Sequence, residues 1–224
     1  MLVFSSCTAG ISGRLDTGGK GEFTLSASLG NRMAALLRSL SGAMSGAGEE
    51  FALNGPAIGQ SMGAAPGVES VSLRNTGPVA LEGTIKIAQI GDFLAIAGGE
   101  KAFIALEEGR TGGKLTIDLD REAGPEILSL VSAEIIDYLS ALMAPIATGE
   151  VLARAEYLDL VASVYGKAVA DEIDGGSIHA AIDFPGPVSA IRGGTYLGRR
   201  ASFDIPLLDL LVLERPLSYE VQWK

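Results

Sequence analysis

Alternating apolar and polar residues flank a long helical stretch in this chain, and this order constrains the fold more than any other feature. Segments 22–29, 114–121 and 177–184 alternate with a period of two residues, as half-buried strands do. Between the last two of them, residues 125–173 carry apolar residues at helical spacing. Strands on both sides of a helical pair, with no repeating βαβ unit, predict an α+β fold with a largely antiparallel sheet.

The helical stretch is expected to form a long helical hairpin that packs on the sheet or on itself. Gly124-Pro125 predicts the start of the first helix, because proline at the first helical position sacrifices no hydrogen bond. Pro145 and Gly149 predict its end. A second helix is expected over residues 150–173.

Shorter patterns complete the predicted order of elements. Residues 11–17 and 22–29 are separated by Gly18-Gly19 and predict a β-hairpin. Asn31 is a typical N-cap residue and predicts a helix over 32–40. Further strands are expected at 68–73, 79–87 and 102–106, and the C-terminal fifty residues, including the apolar run 207–213, are interpreted as β-structure.

The composition favours one large core and excludes some partners. Of the 224 residues 47% are hydrophobic, with a mean hydropathy of +0.32, which is ample for the core of a single domain. The formal charge of −10 argues against nucleic acid, because binding a polyphosphate needs clustered Lys and Arg. No run of about 20 uncharged apolar residues occurs, so no membrane-spanning helix is predicted.

Cys7 is the only cysteine, and the residues before it predict that it carries lipid. An apolar start and then Ser5-Ser6 precede the thiol, as in the cleavage region of a bacterial lipoprotein signal, although Phe4 stands where most such signals carry Leu. A secretory signal needs roughly 15–30 residues, so a truncated leader or a start codon set too late is expected. The alternative is an unstructured N-terminus with an incidental thiol. A single cysteine also excludes an intramolecular disulfide and a Cys-based zinc finger.

Candidate catalytic and metal-binding residues are few. His179 is the only histidine, it is predicted to lie on a polar strand face beside Asp183, and no GxSxG motif supplies a nucleophile. Four carboxylates on predicted polar strand faces would bind Ca²⁺ or act as acid and base if they converged, and otherwise belong to a solvated sheet face. They are Asp118, Asp120, Asp183 and Asp204. We therefore expect no catalytic residue, no metal and no cofactor.

The start of the chain is similar to a known lipoprotein family. Cys7, a strand, a Gly-rich turn, a second strand and an Ala/Leu-rich helix, over residues 7–40, resemble the opening of the LppM-type bacterial lipoprotein domain. The resemblance implies lipid, with acyl chains such as palmitate, attached at Cys7. It also implies a curved sheet packed with helices and the binding of lipids or glycolipids. The Ser-Ser-Cys motif and the acidic composition also resemble spirochaete lipoproteins.

These patterns predict a fold of the α+β class, with a largely antiparallel curved sheet packed by a long helical hairpin. Residues 1–10 are expected to be a residual signal segment and tether around Cys7, and residues 11–224 a single domain. The molecule would be anchored through Cys7 to a membrane of the bacterial cell envelope, facing the periplasm or the exterior.

The leading functional hypothesis is non-enzymatic binding of a lipid or other hydrophobic ligand. A sheet covered by a helical hairpin can enclose a lipid-sized cavity, although a dry core is the alternative. The Gly/Ala-rich stretch 43–66 is interpreted as a loop, or as a lid over such a cavity, and its part 53–65 is expected to be weakly helical. The second hypothesis is a protein-interaction or assembly lipoprotein without a cavity, and the third is a carboxylate-dependent hydrolase.

Overall fold

Two β-sheets and a layer of short helices make up the part of the chain that the structure describes. The computed structural model describes residues 6–45, 53–96, 103–109, 112–129, 131 and 133–224. The α+β class expected from the sequence is confirmed, but the strands are distributed over two sheets where one was expected.

The elements have the following bounds. The strands are β1 (Thr8–Leu15), β2 (Gly21–Ser28), β3 (Val68–Gly77), β4 (Ala80–Ile87), β5 (Ile104–Gly109), β6 (Gly112–Leu119), β7 (Ser177–Asp183), β8 (Val188–Arg192), β9 (Thr195–Leu197), β10 (Arg200–Pro206) and β11 (Leu217–Trp223). The helices are α1 (Asn31–Ser45), α2 (Gly55–Gly63), α3 (Ile90–Ile96), α4 (Gly124–Ser129), α5 (Ala133–Ala141), α6 (Pro145–Thr148), α7 (Arg154–Tyr165), α8 (Lys167–Asp174) and α9 (Leu207–Val212), with a 3-10 turn at Arg121–Ala123.

The largest sheet, sheet A, has the strand order β3-β4-β2-β1-β7-β10-β9, and sheet B has the order β5-β6-β11-β8. The paired strands are antiparallel except β1 and β7, which run parallel with Thr8 opposite Ser177 and Arg14 opposite Asp183. The first strand of the chain therefore lies in the middle of sheet A, and the prediction of largely antiparallel pairing is confirmed.

The two ends of sheet A differ in what connects the strands. At one end β2 leads into α1, α8 leads into β7 and β10 leads into α9, so the helices gather beyond Cys7; we call this the helical end. At the opposite end the strands are joined by turns at 16–20 and 198–199, and β7 leaves sheet A through the turn at 184–187; we call this the turn end. Helix α3 also lies there, because it follows the end of β4 and the Ile90 N–H donates to the Gly19 carbonyl.

Separate hydrophobic cores stabilise the helical end and the space between the sheets. At the helical end the fully buried Tyr157, Val161 and Ile173 pack around Cys7. Between the sheets, Phe184 and Val221 are fully buried and Phe203 meets the ring of Tyr219 edge-on at 5.7 Å between centroids. The second core depends on apolar residues of both sheets.

The expected long helical hairpin is replaced by shorter helices. Over the described part of 124–174 the chain forms α4 to α8, because backbone features interrupt the helical pattern. Pro145 starts α6 at its first position, and Gly149 ends α6 in the left-handed conformation with φ 74°. Gly166 separates α7 from α8 with φ 92° and ψ 150°, a region that other residues avoid.

Two further expectations differ from the structure. The apolar run 207–213 forms helix α9, not a strand, with Leu208, Leu211 and Val212 buried against the helical end. Within the stretch 43–66, the weak helical character expected over 53–65 is confirmed by α2, which packs on β3 with Ile58 buried against Leu73, so this part is not an open loop. Residues 46–52 of that stretch lie outside the described residues.

Candidate functional site

An apolar cavity of about 270 Å³ lies between the inner faces of sheet A and sheet B. Helices α2 and α3 contribute to its wall through Met62 and Phe93. All sixteen residues that line it are aliphatic, aromatic or Met. They are Ile11, Leu15, Phe23, Leu25, Met62, Ile85, Ile87, Ile90, Phe93, Leu94, Ile104, Leu106, Leu115, Ile117, Ile182 and Phe184.

Small residues in one row of sheet A leave room for this cavity. Ile11 lies in the central strand, opposite Ala180 on β7 and Leu25 on β2, and Leu25 lies opposite Gly83 on β4. Ala180 and Gly83 thus place a methyl group and no side chain on either side of Ile11 and Leu25, and the row continues to Phe203 on β10 and Leu73 on β3. Gly83 is required there, because a Cβ atom at this position would lie 1.9 Å from the Ser72 carbonyl oxygen. Ile11 is 36% exposed although it sits on the inner face of the central strand, and this exposure faces the cavity.

The alternation seen in the sequence places these apolar residues on one face. Phe23 and Leu25 of β2 and Leu115 and Ile117 of β6 point inward, as their period of two predicts. The sequence patterns also led us to expect a cavity covered by the helical hairpin. The structure instead covers it with sheet B and with α2 and α3, while the described residues of α4 to α8, the helices of the predicted hairpin region, line no part of it.

The apolar lining of this cavity is in contact with solvent, since Ile11 is partly exposed there. Removing apolar surface from water contributes about 25 cal/mol for each Å² that is covered. An apolar ligand that covers this lining would also add dispersion contacts. The cavity is therefore a site that gains from being occupied.

A second, more polar pocket of about 610 Å³ lies at the turn end. Thr17 and Gly18 of one turn, Pro185 and Gly186 of another, and Trp223 near the end of the chain are among its lining residues. The Trp223 ring stacks on Phe184 with 4.8 Å between centroids, and Phe184 lines the apolar cavity. These two rings thus lie between the polar pocket and the apolar cavity.

Cys7, the predicted lipid attachment point, lies in the core of the helical end. It is 6% exposed, its carbonyl oxygen accepts a 3.0 Å hydrogen bond from the Ser177 N–H, and burial raises the pKa of its thiol. Cys7 also lines a small apolar cavity of about 150 Å³ together with Met33 and Leu37. Because β1 begins at Thr8, residues 8–10 belong to sheet A and not to a tether. Lipid attachment at Cys7 stays a prediction.

The four carboxylates proposed as a metal or acid–base site do not converge. Asp118 accepts a hydrogen bond from Ser218 on sheet B, and Asp120 caps the 3-10 turn by accepting from the Ala123 N–H at 2.9 Å. The other two lie on the outer face of sheet A, where Asp183 pairs with Arg200 at 2.6 Å and Asp204 contacts His179. Among the described residues no group of three or more His, Cys, Asp and Glu is placed to hold a metal ion.

His179 is hydrogen bonded on both ring nitrogens. Its Nε2 lies 3.0 Å from Ser177 Oγ, and its Nδ1 contacts Asp204, not Asp183 as expected. The pairing of β7 with β10 explains this, because it places Asp204 directly opposite His179.

This Ser-His-Asp order is the one that serine hydrolases use, but here it lies on an open sheet face. The nearest backbone donors, the N–H groups of Gly176 and Ser177, already donate to Ile173 and Cys7, so neither is free to stabilise an oxyanion. Sequence reasoning missed Ser177, because only the strand period of two links it to His179.

Comparisons with known proteins add one similarity. No protein-family model matches the chain, and no curated protein matches it. Among solved structures, the chain is similar to the NMR structure of the folded domain of LppM from Mycobacterium tuberculosis, with a TM-score of 0.46 and 9% sequence identity. The superposition covers 100% of this chain and 92% of that chain. Among the helices described here, none is long and apolar enough to cross a membrane.

Proposed function

We propose that this chain is a cell-envelope lipoprotein domain that binds an acyl chain or a similar hydrophobic ligand between its two sheets, without catalysing a reaction. The observation that carries this proposal is the 270 Å³ cavity with a wholly apolar lining. Ligand pockets are mostly apolar with a few polar groups that orient the ligand. The polar pocket beyond Phe184 and Trp223 supplies such groups at one end of the cavity.

The size of the cavity favours a slender ligand. Pockets for drug-sized molecules range over roughly 300–1,000 Å³, so a cavity of about 270 Å³ suits one acyl chain better than a two-chain lipid held whole. A polar headgroup would then remain outside the apolar lining.

The proposal also includes the lipid anchor at Cys7. Six residues precede Cys7, and the sequence around it has the features of a lipoprotein signal. Because the thiol is buried in the folded chain, the lipid has to be attached before the helices pack over it. Expression of the chain behind a complete lipoprotein signal peptide, in a bacterium grown with an alkyne-labelled fatty acid, tests this, with Cys7→Ser as the control that should lose the label. Equal labelling of both proteins would exclude Cys7 as the attachment point.

The ligand site can be tested by titrating the full chain with cis-parinaric acid, whose fluorescence rises in an apolar site. Ile11→Trp fills the cavity from the central strand and should abolish the signal. Ile11→Asn keeps a similar volume, places an amide in the apolar lining and should weaken binding at least tenfold. Val164→Trp adds the same indole on the surface, where Val164 is 54% exposed, and should bind as the wild type does.

Three results would contradict the cavity as the binding site. They are no saturable signal from the wild type, equal binding by Ile11→Trp and Val164→Trp, or loss of binding in Val164→Trp alone. The first result, with a partner captured by the folded chain, would favour an assembly lipoprotein without a ligand.

A further inference from the structure

The hairpin formed by β9 and β10 presents two large apolar side chains to solvent. Leu197 is 87% exposed and Tyr196 is 49% exposed, at the turn where Gly198 has φ 63°. Exposed apolar residues are ordinary when they occur singly, as Val151 and Val164 do here. Among the described residues, Tyr196 and Leu197 are the only consecutive pair of exposed large apolar residues.

Two arginines follow this tip in a chain whose formal charge is −10. Arg199 and Arg200 follow directly, and Arg200 is paired with Asp183 at 2.6 Å. Arg199 is exposed and uses its Nε to donate to the Phe184 carbonyl at 2.8 Å. The wider turn end carries exposed charges of both signs, among them Lys20, Lys86, Lys224, Asp16, Asp92, Glu107 and Glu108. Arg199 lies next to the tip itself, and an arginine there suits phosphate groups.

The tip is connected directly to the wall of the ligand cavity. The Phe184 N–H donates to the Arg199 carbonyl at 2.9 Å, and the Val188 N–H donates to the Gly198 carbonyl at 2.8 Å. Phe184 lines the cavity and stacks on Trp223. The backbone hydrogen bond between Phe184 and Arg199 therefore joins the exposed tip to the two rings at the end of the cavity.

We infer that the turn end docks on a phospholipid bilayer, with Leu197 and Tyr196 inserted among the headgroups and Arg199 on lipid phosphates. Aliphatic and tyrosine side chains with flanking arginine are suited to the membrane interface, where the ring has one apolar and one hydrated end. Docking there brings the Phe184 end of the cavity to the lipid surface. Transfer of a ligand from the bilayer into the cavity rests on the proposed function, whereas docking on the bilayer does not.

Vesicle co-sedimentation with the full chain tests the inference. The probes are vesicles of phosphatidylcholine alone and of phosphatidylcholine with phosphatidylglycerol at a 7:3 ratio. Leu197→Ser removes the inserted side chain and should lower the partition constant roughly tenfold or more on both kinds of vesicle. Val151→Ser removes an apolar side chain that is 74% exposed elsewhere and should bind as the wild type does. Arg199→Gln should weaken binding about fivefold to the anionic vesicles and less to phosphatidylcholine alone, whose phosphates carry no net surface charge.

The inference is overturned if the wild type binds neither kind of vesicle, or if Leu197→Ser and Val151→Ser bind equally. Its failure can be told apart from failure of the proposed ligand site. Leu197 lies outside the cavity lining, so Leu197→Ser should bind cis-parinaric acid in solution as the wild type does. Saturable binding of cis-parinaric acid without binding to vesicles would contradict the docking inference and leave the proposed ligand site supported. Vesicle binding that depends on Leu197, without probe binding, supports docking and removes the ligand site.

Discussion

Glu172 connects two helices that are far apart in sequence. One of its carboxylate oxygens accepts the Arg32 N–H at 3.0 Å and the other accepts the Met33 N–H at 2.7 Å. Both donors lie in the first turn of α1, where no helical carbonyl reaches them and the helix dipole favours a negative charge. A side chain of α8 thus fixes the start of α1.

We expect Glu172→Gln to lower the free energy of unfolding by about 1–2 kcal/mol, because an amide offers one acceptor where the carboxylate offers two. Urea denaturation followed by circular dichroism measures this. Asp171→Asn is the matched control on the next residue, since Asp171 forms only an exposed pair with Lys167 and should matter much less. An equal loss of unfolding free energy in the two variants would show that Glu172 contributes only its negative charge and not its two hydrogen bonds.

Gly166 separates α7 from α8 within the stretch 150–173, where the sequence predicts one long helix. Its φ of 92° with ψ of 150° lies in a region that residues with a side chain rarely adopt. The carbonyl of Ala162 accepts the Gly166 N–H at 3.0 Å, so the break is held by the end of α7. Helices α7 and α8 therefore meet at a fixed angle.

We expect Gly166→Ala to destabilise the protein by about 1–3 kcal/mol, although nothing lies within 4 Å of the added methyl group. Gly91→Ala is the matched control, because it also meets nothing within 4 Å but lies in α3 with an ordinary backbone conformation. That change should be neutral or stabilise the protein, as alanine favours a helix. Thermal denaturation of both variants gives the comparison, and a stable Gly166→Ala would mean that α7 and α8 can join.

The positions of the strands were predictable because alternation is a local pattern, whereas the pairing of each strand with its neighbours was not. The alternation over 22–29, 114–121 and 177–184 corresponds to strands β2, β6 and β7 with small shifts in their bounds. An alternating segment does not specify which sheet it joins, so the second sheet was missed. The run 207–213 forms a helix where β-structure was expected, and its sequence fits both, since a short apolar run is typical of a buried strand and of a buried helix alike. In the stretch 125–173, helical spacing was recognised, but the backbone conformation of Gly166 was not.

At the scale of the whole molecule, the apolar character of the candidate site was predictable from the sequence, but its position in the fold was not. A lipid-sized cavity was among the sequence-based hypotheses, and the apolar faces that line it were recognised strand by strand. The row that places Ala180, Ile11, Leu25 and Gly83 side by side depends on strand register, which the sequence alone does not fix.

Cys7 reports on the integrity of the whole fold, since it is covered by both sheet A and the helical end. Burial raises the pKa of the thiol, so less thiolate is present at pH 7.5 in the folded chain than in the unfolded one. We expect a thiol reagent such as dithionitrobenzoate to react much more slowly with the native protein than with the protein in urea. The protection should disappear at the same urea concentration as the circular dichroism signal. Rapid reaction in native buffer would show that the N-terminal strand opens on its own.

The parallel pairing of β1 with β7 also sets an order in time. Thr8 pairs with Ser177, about 170 residues later in the chain, and contacts between such distant residues form slowly. During synthesis the first strand has only β2 beside it until most of the polypeptide has appeared. Cys7, which directly precedes this strand, is open to solvent or to a modifying enzyme throughout that interval, and the interval ends when sheet A is complete.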